Sequence, residues 1–305
     1  MSGPFKAASD AAKLAARVRV SHVGFAAFHN MKQTKDAVDK EQSAPECCPD
    51  TKQNGDVQMG KLQGKRAFIT GAGRGIGKDI AAKMASEGAV VAIADIDGDL
   101  AKSAAGEILG AVAFTVDVSN RKAVTAAIDS FAADGGLDIL VNNAVYFNYA
   151  PLVEMTEEIV DKMLNVGIKG TIWSTQAATP HIAAQGGGTM INLSSIAVSV
   201  GIARAAVYTS IKGAVDAFTR QQADELGPLK IRVNALAPGP IVTPGASSVI
   251  NAENWEKRKN MSPLGRLVTG EEIGAAAVFL ASEDGRGITG VTLKLDSGLT
   301  ISGPK

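Results

Sequence analysis

The stretch RAFITGAGRGIG, residues 66–77, joins a short apolar strand directly to a glycine-rich turn, and a helical pattern follows from Lys78 to Glu87. Glycines let the backbone turn sharply and approach a pyrophosphate closely, while the first turn of a helix offers free N–H groups and a positive dipole end. A plain flexible loop is the alternative, but the strand before and the helix after favour a dinucleotide-binding turn. The residues expected to contact the dinucleotide are Gly71, Arg74, Gly75, Ile76 and Gly77.

An acidic residue follows the next apolar strand. Residues 89–94 form that strand, and it ends on Asp95, 18 residues after Gly77. A carboxylate at this spacing accepts hydrogen bonds from the adenosine ribose hydroxyls and repels a 2′-phosphate, so the sequence predicts NAD rather than NADP. Ile96, and not an arginine, follows this acid, which also favours NAD. Arg74 argues against it, because a guanidinium in the turn could reach a phosphate.

A Tyr-x-x-x-Lys pattern, Tyr208 to Lys212, begins 13 residues after Ser195, which ends an apolar stretch at 189–193. In a helix, positions i and i+4 share a face, so the Lys212 ammonium can lie beside the Tyr208 phenol. A free tyrosine has a pKa of ~10 and is a poor base near neutrality. A neighbouring cation, with the positive ring of an oxidised nicotinamide, would lower that pKa and allow general acid/base catalysis. Alone, the pattern also fits an exposed tyrosine beside a solvated lysine. The nucleotide-binding turn decides between these two interpretations and favours the catalytic one.

On these segments and on others in the same order, the chain resembles the short-chain dehydrogenase/reductase family over residues 59–305. Residues 70–77 are similar to the family's Thr-Gly-x-x-x-Gly-x-Gly turn. Asp117 and Val118, after the strand-like residues 111–116, are similar to the positions that contact adenine. The resemblance implies a single-domain, NAD-dependent oxidoreductase that acts on CH-OH groups.

Two asparagine positions extend the resemblance. Asn142, Asn143 and Ala144 are similar to the family's Asn-Asn-Ala-Gly motif, and Asn143 is expected at the cofactor. Val145 replaces the last glycine of that motif, which predicts a different backbone conformation or a bulkier wall near the nicotinamide. Asn165 is similar to the helical asparagine that holds a water in the family's proton relay.

The resemblance also implies roles at the site. The catalytic residues are then Asn165, Ser195, Tyr208 and Lys212, of which the last two also bind the cofactor. Ser195 would hydrogen-bond the substrate oxygen and Tyr208 would take its proton, while hydride passes to the nicotinamide. A segment after the sixth predicted strand resembles the one that holds the nicotinamide carboxamide, and its members are Pro238, Gly239, Ile241 and Thr243.

Strand-like and helix-like segments alternate from residue 66, which predicts an α/β fold with a doubly wound parallel sheet (Rossmann). Strands are expected near 66–70, 89–94, 111–116, 137–142, 188–194, 229–235 and 290–295. Helices are expected near 75–87, 98–108, 119–132, 156–185, 205–226 and 270–282. Ligands bind at the carboxyl ends of such strands. The residues expected to share one site there are Gly71, Asp95, Asp117, Asn142 and Ser195.

Two segments near the expected site carry alternatives. Residues 240–263, with a short helical run at 251–258, predict either a lid over the substrate or an ordinary surface insertion. Tyr146, Phe147 and Tyr149 follow the asparagine motif and predict either an aromatic wall of the pocket or rings packed under neighbouring helices. The wall would suit a cyclic or aromatic alcohol, and a sugar or acyl substrate stays open.

Composition excludes several function classes. The chain holds 31 basic and 31 acidic side chains, so no basic field for nucleic acid is expected. No apolar run reaches the roughly 18 residues that span a bilayer. Three histidines and two adjacent cysteines have no metal-ligand spacing, so no metal is expected, and His181 is interpreted as a surface residue at a helix end. Without a disulfide framework, a reducing, cytoplasmic location is predicted.

Residues 1–58 differ in character from the rest of the chain. The first 35 carry six basic residues and one acid, and residues 36–58 are polar without apolar periodicity. We therefore expect a disordered extension, either a transit peptide or the product of a mis-assigned start. Met59 would then begin the dehydrogenase domain, residues 59–305.

The sequence as a whole predicts reversible hydride transfer between a secondary alcohol or ketone and NAD(H). Two alternatives stay open. One is an NADPH-dependent 3-oxoacyl carrier-protein reductase, which Asp95 disfavours, and the other is a non-catalytic dinucleotide-sensing protein, which the complete catalytic set disfavours. Helices near 156–185 and 205–226 carry more apolar residues than one core face requires, and the matching helices of the family pack against a second subunit. A homotetramer or homodimer is expected, without a nucleic-acid or membrane partner.

Overall fold

The computed structural model describes residues 60–243 and 251–303. The extension predicted for residues 1–58 lies outside these ranges, as do Met59 and residues 244–250 of the predicted lid. The described residues form a seven-stranded parallel sheet packed between two apolar layers. This arrangement confirms the predicted doubly wound fold.

The strands are short and apolar, as strands buried on both faces require. In chain order they are β1 (Arg66–Thr70), β2 (Val90–Asp95), β3 (Val112–Thr115), β4 (Ile139–Asn142), β5 (Gly188–Leu193), β6 (Ile231–Pro238) and β7 (Thr292–Leu295). Their order across the sheet is β3-β2-β1-β4-β5-β6-β7, and every neighbouring pair is parallel. The strand order reverses between β1 and β4, so a ligand crevice is expected at the carboxyl ends of these two strands.

Helices connect the strands and cover both faces of the sheet. They are α1 (Gly75–Ser86), α2 (Gly98–Glu107), α3 (Arg121–Ala133), α4 (Glu157–Leu164), α5 (Gly170–Ala184), α6 (Ala206–Leu226), α7 (Ala252–Met261) and α8 (Gly270–Ala281). Most of these bounds agree with the predicted ones to within a few residues. The short helical run predicted inside the lid corresponds to α7.

The helix predicted over 156–185 is interrupted. A π-helical turn, Asn165–Lys169, separates α4 from α5, because the Gly170 N–H bonds the Asn165 oxygen five residues earlier instead of four. Gly167 in this turn faces α6, and a Cβ there would lie 2.5 Å from a methyl group of Ile211. The prediction of one continuous helix was wrong, because a single extra residue per turn barely alters the apolar pattern.

The two apolar layers are divided by the alternation of side chains along each strand. Phe68 and Ile69 are neighbours in β1, yet they lie in opposite layers, as a period of two requires. Ile69 lies in the same layer as Met84 of α1 and Ile273 of α8. Phe68 packs against Phe131 of α3, with the ring centres 6.0 Å apart. This double burial fixes β1, and therefore the position at which its glycine turn leaves the sheet.

A capping box begins α8. The Thr269 hydroxyl accepts the Glu272 N–H at 3.3 Å, and the Glu272 carboxylate accepts the Thr269 N–H at 2.9 Å. Arg266 adds hydrogen bonds of 2.9 and 2.6 Å to the same carboxylate. The bonds from Arg266 and from the Thr269 backbone lower the pKa of Glu272 to about 2. The box thereby fixes the start of the helix that packs along α1.

Candidate active site

The glycine turn lies at the carboxyl end of β1. Gly71 (φ +62°) and Gly75 (φ +59°) adopt left-handed conformations, which a side chain would strain. Gly73 faces the end of β2, where a Cβ would lie 2.9 Å from a carboxylate oxygen of Asp95. Arg74 occupies the N-cap of α1 and makes no side-chain cap. The first N–H groups of the helix therefore receive no acceptor from the N-cap residue and are suited to an anion.

Backbone N–H groups hold the Asp95 carboxylate in place. The Gly73 N–H donates to Oδ2 at 2.9 Å, and the Asp97 N–H donates to Oδ1 at 3.1 Å. Each carboxylate oxygen has more than one acceptor site, so both can still accept a ribose hydroxyl. Ile96 is exposed beside the carboxylate and carries no charge for a 2′-phosphate, while Arg74 is exposed on the turn.

A hydrogen-bonded latch joins the glycine turn to β4. The Asn143 side chain donates to the backbone oxygens of Thr70 at 3.0 Å and Gly71 at 2.8 Å. The N–H groups of Asn143 and Ala144 donate to the Thr70 hydroxyl at 3.0 and 3.1 Å. Gly77 lies so close to the Asn143 amide that it leaves no room for a Cβ. Sequence reasoning gave Thr70 no role, although a hydroxyl residue just before the glycines was the available signal.

Three further residues at the predicted cofactor site follow β3 and β4. Asp117 follows β3, and its carboxylate accepts both the N–H of Ser119 at 2.9 Å and its hydroxyl at 2.8 Å. Val118 beside it is buried. Val145 is half-buried and stays outside the left-handed backbone region. Its isopropyl group adds bulk where the family's motif has glycine.

The segment after β6 faces the glycine turn. Pro238 is the last residue of β6, and the Gly239 N–H donates to the backbone of β7 at 2.8 Å. Ile241 is buried. A Cβ built on Gly75 would lie 3.7 Å from the side chain of Thr243. The structure thus brings together the residues predicted on the turn and those predicted after β6.

Ser195 lies just after β5, and Tyr208 and Lys212 lie on the first turns of α6. The Ser195 hydroxyl accepts the Ala197 N–H at 3.2 Å and lies against the Tyr208 hydroxyl. Lys212 is buried, and its ammonium donates to the Leu193 backbone oxygen at 2.6 Å. The same ammonium is 5.8 Å from the centre of the Tyr208 ring. Three of the four predicted catalytic residues therefore converge.

Burial has the largest effect on the pKa values of Tyr208 and Lys212. It raises the pKa of Tyr208, and the hydrogen bond with Ser195 lowers that pKa only in part. Burial also lowers the pKa of Lys212 to about 8. The sequence predicted that Lys212 and an oxidised nicotinamide would together lower the pKa of Tyr208. In the structure the largest influence on the Tyr208 pKa is burial, which acts in the opposite direction, and the Lys212 ammonium donates to the backbone of β5.

Asn165 begins the π-helical turn, and its backbone oxygen accepts the Gly170 N–H. Gly167 of the same turn packs on Ile211, the residue before Lys212. The turn is thereby held against the part of α6 that carries the lysine. Within the described ranges, no direct hydrogen bond joins the Asn165 side chain to Ser195, Tyr208 or Lys212.

The aromatic residues after Asn143 divide between the two predicted places. The rings of Phe147 and Tyr149 lie 6.4 and 5.6 Å from the ring of Tyr208, in edge-to-face arrangements of 74° and 65°. Tyr146 packs instead on α4, where the Lys162 ammonium is 4.3 Å from its ring centre. Phe147 and Tyr149 therefore form an aromatic wall beside Tyr208, and Tyr146 packs under a helix.

In the described part of the chain, the remaining candidate groups lie at the surface or do not cluster. His181, near the end of α5, lies 2.7 Å from the Asp129 carboxylate at the surface. Across residues 60–243 and 251–303, no three His, Cys, Asp or Glu side chains come together as a metal site would require. In the same residues, no helix combines the length and the apolar character needed to cross a membrane.

The crevice combines features that one ligand class requires. A glycine turn and a helix N-terminus suit a pyrophosphate, the fixed Asp95 carboxylate suits a ribose, and the Ser195–Tyr208–Lys212 group suits proton transfer at a carbinol. Gly73 and Gly77 pack so tightly against their neighbours that a Cβ would not fit at either position. These groups fit a nicotinamide dinucleotide, and they define the class of dinucleotide-dependent oxidoreductases.

Comparison with known proteins identifies the family. A family model described as enoyl-(acyl carrier protein) reductase matches residues 71–300. The chain belongs to the short-chain dehydrogenase/reductase family. It is an oxidoreductase of secondary alcohols or ketones that binds a nicotinamide dinucleotide.

Several relatives of known activity match this chain over nearly their full length. Sorbitol dehydrogenase from Cereibacter sphaeroides is 36% identical over 268 residues, which cover 79% of this chain and 100% of that protein. A gluconate 5-dehydrogenase from Burkholderia cenocepacia J2315, in complex with NADP and tartrate, has a TM-score of 0.75 at 35% identity and covers 79% of this chain and 97% of its own. A 3-ketoacyl-(acyl-carrier-protein) reductase from Brucella melitensis, complexed with NADH, has a TM-score of 0.75 at 34% identity, with coverages of 78% and 99%. The relatives therefore differ in both cofactor and substrate.

Proposed function

We propose that this protein oxidises a secondary alcohol to the ketone, reversibly and with NAD⁺, and that Tyr208 is its general acid/base. One observation carries the proposal. The glycine turn that holds Asp95 and the group formed by Ser195, Tyr208 and Lys212 lie at the same carboxyl edge of one sheet. A dinucleotide bound on the turn can therefore reach the residues that would handle the carbinol proton.

In this proposal the protein residues divide the proton chemistry. Ser195 donates a hydrogen bond to the substrate oxygen, and the Tyr208 phenolate accepts the carbinol proton. Lys212 stabilises that phenolate and binds the nicotinamide ribose, and Asn165 supports a water that links Lys212 to solvent. A bound nicotinamide dinucleotide supplies the hydride acceptor. The protein contributes the geometry and the charge.

The adenosine end of the crevice favours NAD over NADP. The Asp95 carboxylate is tied to the backbone of the turn, so it cannot swing away from a 2′-phosphate. Coulomb repulsion and the desolvation of two anions would both oppose such a phosphate. Arg74 could offset part of this cost, and relatives complexed with NADH and with NADP are both known. The effect of Asp95 should exceed that of Arg74, because backbone N–H groups hold both of its carboxylate oxygens.

The test is a cofactor and substrate panel on the purified protein. Secondary alcohols of alicyclic, sugar and aryl types are offered with NAD⁺ or NADP⁺, and the 3-oxoacyl thioester is offered with NADH or NADPH. The proposal predicts kcat/KM at least about tenfold higher with NAD⁺, the effect of ~1.4 kcal/mol. Faster thioester reduction with NADPH would favour the acyl carrier-protein reductase instead.

We also propose that α5 and α6 pack against a second copy of the chain. The groove between them encloses about 370 Å³, and its largest apolar side chains are Ile172, Phe218 and Leu229. A neighbouring cavity of about 150 Å³ shares Ile172 and Phe218. Monomeric proteins rarely leave such a continuous apolar patch in water, and two identical faces can close on each other by a twofold axis.

A second apolar face supports a tetramer over a dimer. Among the described strands, β7 pairs with β6 alone and forms an edge of the sheet. Val291 and Leu293 are exposed there at 43% and 38%. An unprotected apolar edge is normally covered in the native assembly. Two separate faces let each copy contact two others, which is the requirement for a closed tetramer.

A further inference from the structure

Tyr149 holds a fixed position beside Tyr208. The two ring centres are 5.6 Å apart at 65°, and the ring of Phe147 is 5.6 Å from Tyr149. Aromatic contacts of this kind hold the ring through its faces and edges and leave the hydroxyl unused. Tyr149 therefore presents a second phenol next to the one that is proposed to take the carbinol proton.

The hydroxyl of Tyr149 has no internal partner within the parts of the chain that the structure describes. Burial and the charges of Tyr208 and Arg258 act on it, and no hydrogen bond does. A tyrosine hydroxyl in a partly buried place normally finds a hydrogen-bond partner, because its desolvation is costly otherwise. The hydroxyl is therefore suited to a polar group of a molecule bound in the crevice.

The charge state of Tyr149 is set by its neighbours. Burial raises its pKa most, a negative charge on Tyr208 raises it further, and Arg258 of α7 opposes this only in part. Tyr149 therefore stays protonated when Tyr208 ionises. It remains a hydrogen-bond donor throughout the proposed reaction.

We propose that the Tyr149 hydroxyl hydrogen-bonds a second oxygen of the substrate, so that the site selects polyhydroxylated alcohols over the matching mono-alcohols. The inference rests on the proposed function, because Tyr208 defines where the reacting oxygen lies. A site with a hydrogen-bonding group for a substrate hydroxyl discriminates against the analogue that lacks it, since the group is then left unpaired. Tyr149 is thus a specificity-determining residue.

The test uses two matched pairs of alcohols that differ by one hydroxyl: cyclohexane-1,2-diol with cyclohexanol, and butane-2,3-diol with butan-2-ol. The quantity measured is the ratio of kcat/KM for the diol to that for the mono-alcohol, with saturating NAD⁺. We expect a ratio well above one in the wild type, and a fall of about tenfold in Tyr149→Phe, the scale of one hydrogen bond. Tyr146→Phe is the matched control, since its ring packs on Lys162, and it should keep the wild-type ratio.

A merely structural role for Tyr149 would lower the rates for both alcohols together and leave the ratio at the wild-type value, which overturns the inference. A wild type that prefers the mono-alcohols overturns it as well, while the proposed function stands. Failure of the proposed function is recognised separately, because Tyr208→Phe would then keep its turnover of every alcohol in the set.

Discussion

The Gly73 N–H donates to the Asp95 carboxylate over 2.9 Å, so the glycine turn itself positions the residue expected to select the cofactor. A side chain at Gly73 would collide with that carboxylate, because a Cβ there would lie 2.9 Å from the accepting oxygen. The glycine turn and Asp95 therefore form one structural unit. Changes on either side should alter cofactor selection.

The first prediction concerns that unit. Asp95→Ala removes the acceptor for the ribose hydroxyls and the repulsion of a 2′-phosphate. The Kd for NAD⁺ should rise about tenfold, and the NAD⁺/NADP⁺ ratio of kcat/KM should fall by at least as much. Asp99→Ala, on the exposed first turn of α2, is the charge-matched control. An unchanged cofactor ratio in Asp95→Ala would remove this carboxylate from cofactor selection.

The second prediction concerns Lys212, whose pKa burial lowers to about 8 from an ordinary 10.5. Between these values the unfolded chain binds more protons at this group than the folded chain, so stability from this group rises with pH across the window. Tyr208 opposes the trend near its upper end, because the unfolded tyrosine ionises first.

Urea unfolding at several pH values between 7.5 and 9.5 measures this slope. In Lys212→Met the rise of stability with pH that comes from this ammonium should be absent, so its free energy of unfolding should change less with pH than that of the wild type. Lys122→Met, which removes an exposed lysine of α3, should keep the wild-type profile. Equal slopes in the wild type and Lys212→Met would contradict the assigned burial of this ammonium.

Much of the fold could be predicted because its signals are local. The apolar run of β1, the glycines after it and the acid at the end of β2 each follow from a few consecutive residues. Parallel strands require helical crossovers, so the alternation of apolar patterns predicts the winding of the sheet. The residues placed at strand ends then share an edge as a consequence of topology.

Other features depend on residues that are distant along the chain. The latch between Thr70 and Asn143 spans 73 residues, and neither motif alone shows that the two side chains meet. The hydrogen bond from Lys212 to Leu193 turns the ammonium towards the backbone, which a helical i, i+4 rule does not foresee. The π-helical turn at Asn165 contains Gly167, which lies against Ile211 of α6, again a tertiary contact. Packing of this kind cannot be read from periodicity.

The third prediction concerns the capping box of α8. Thr269→Ala should destabilise the protein by about 1 kcal/mol, the usual cost of a lost N-cap.

The second partner of the box, Glu272, should make stability depend on pH. Its pKa is lowered to about 2, so the stability that its carboxylate contributes is fully present above the ordinary value of 4.5 and is lost as the pH falls towards 2. In acid titrations followed by circular dichroism, Glu272→Gln should therefore lose stability between these values less steeply than the wild type. Glu271→Gln, on the same exposed turn, should titrate as the wild type does.

The fourth prediction concerns assembly. Phe218→Glu places a charge in the groove between α5 and α6, and Leu293→Glu places one on the exposed edge strand β7. Each variant should reduce the proposed tetramer to a dimer, and the double variant should be a monomer, because burying an unpaired carboxylate costs several kcal/mol. Light scattering at micromolar concentration measures the masses. A monomeric wild type would contradict the proposed assembly.

The central claim is that Tyr208 transfers the carbinol proton, and the most direct measurement is the kcat of Tyr208→Phe on a substrate of the wild type. The variant should bind NADH with an affinity within about threefold of the wild type by fluorescence, because the phenol oxygen contributes at most one hydrogen bond to the cofactor. Its kcat should fall at least about a hundredfold, the scale of a lost general acid/base. Turnover close to that of the wild type, with NADH still bound, would contradict the account.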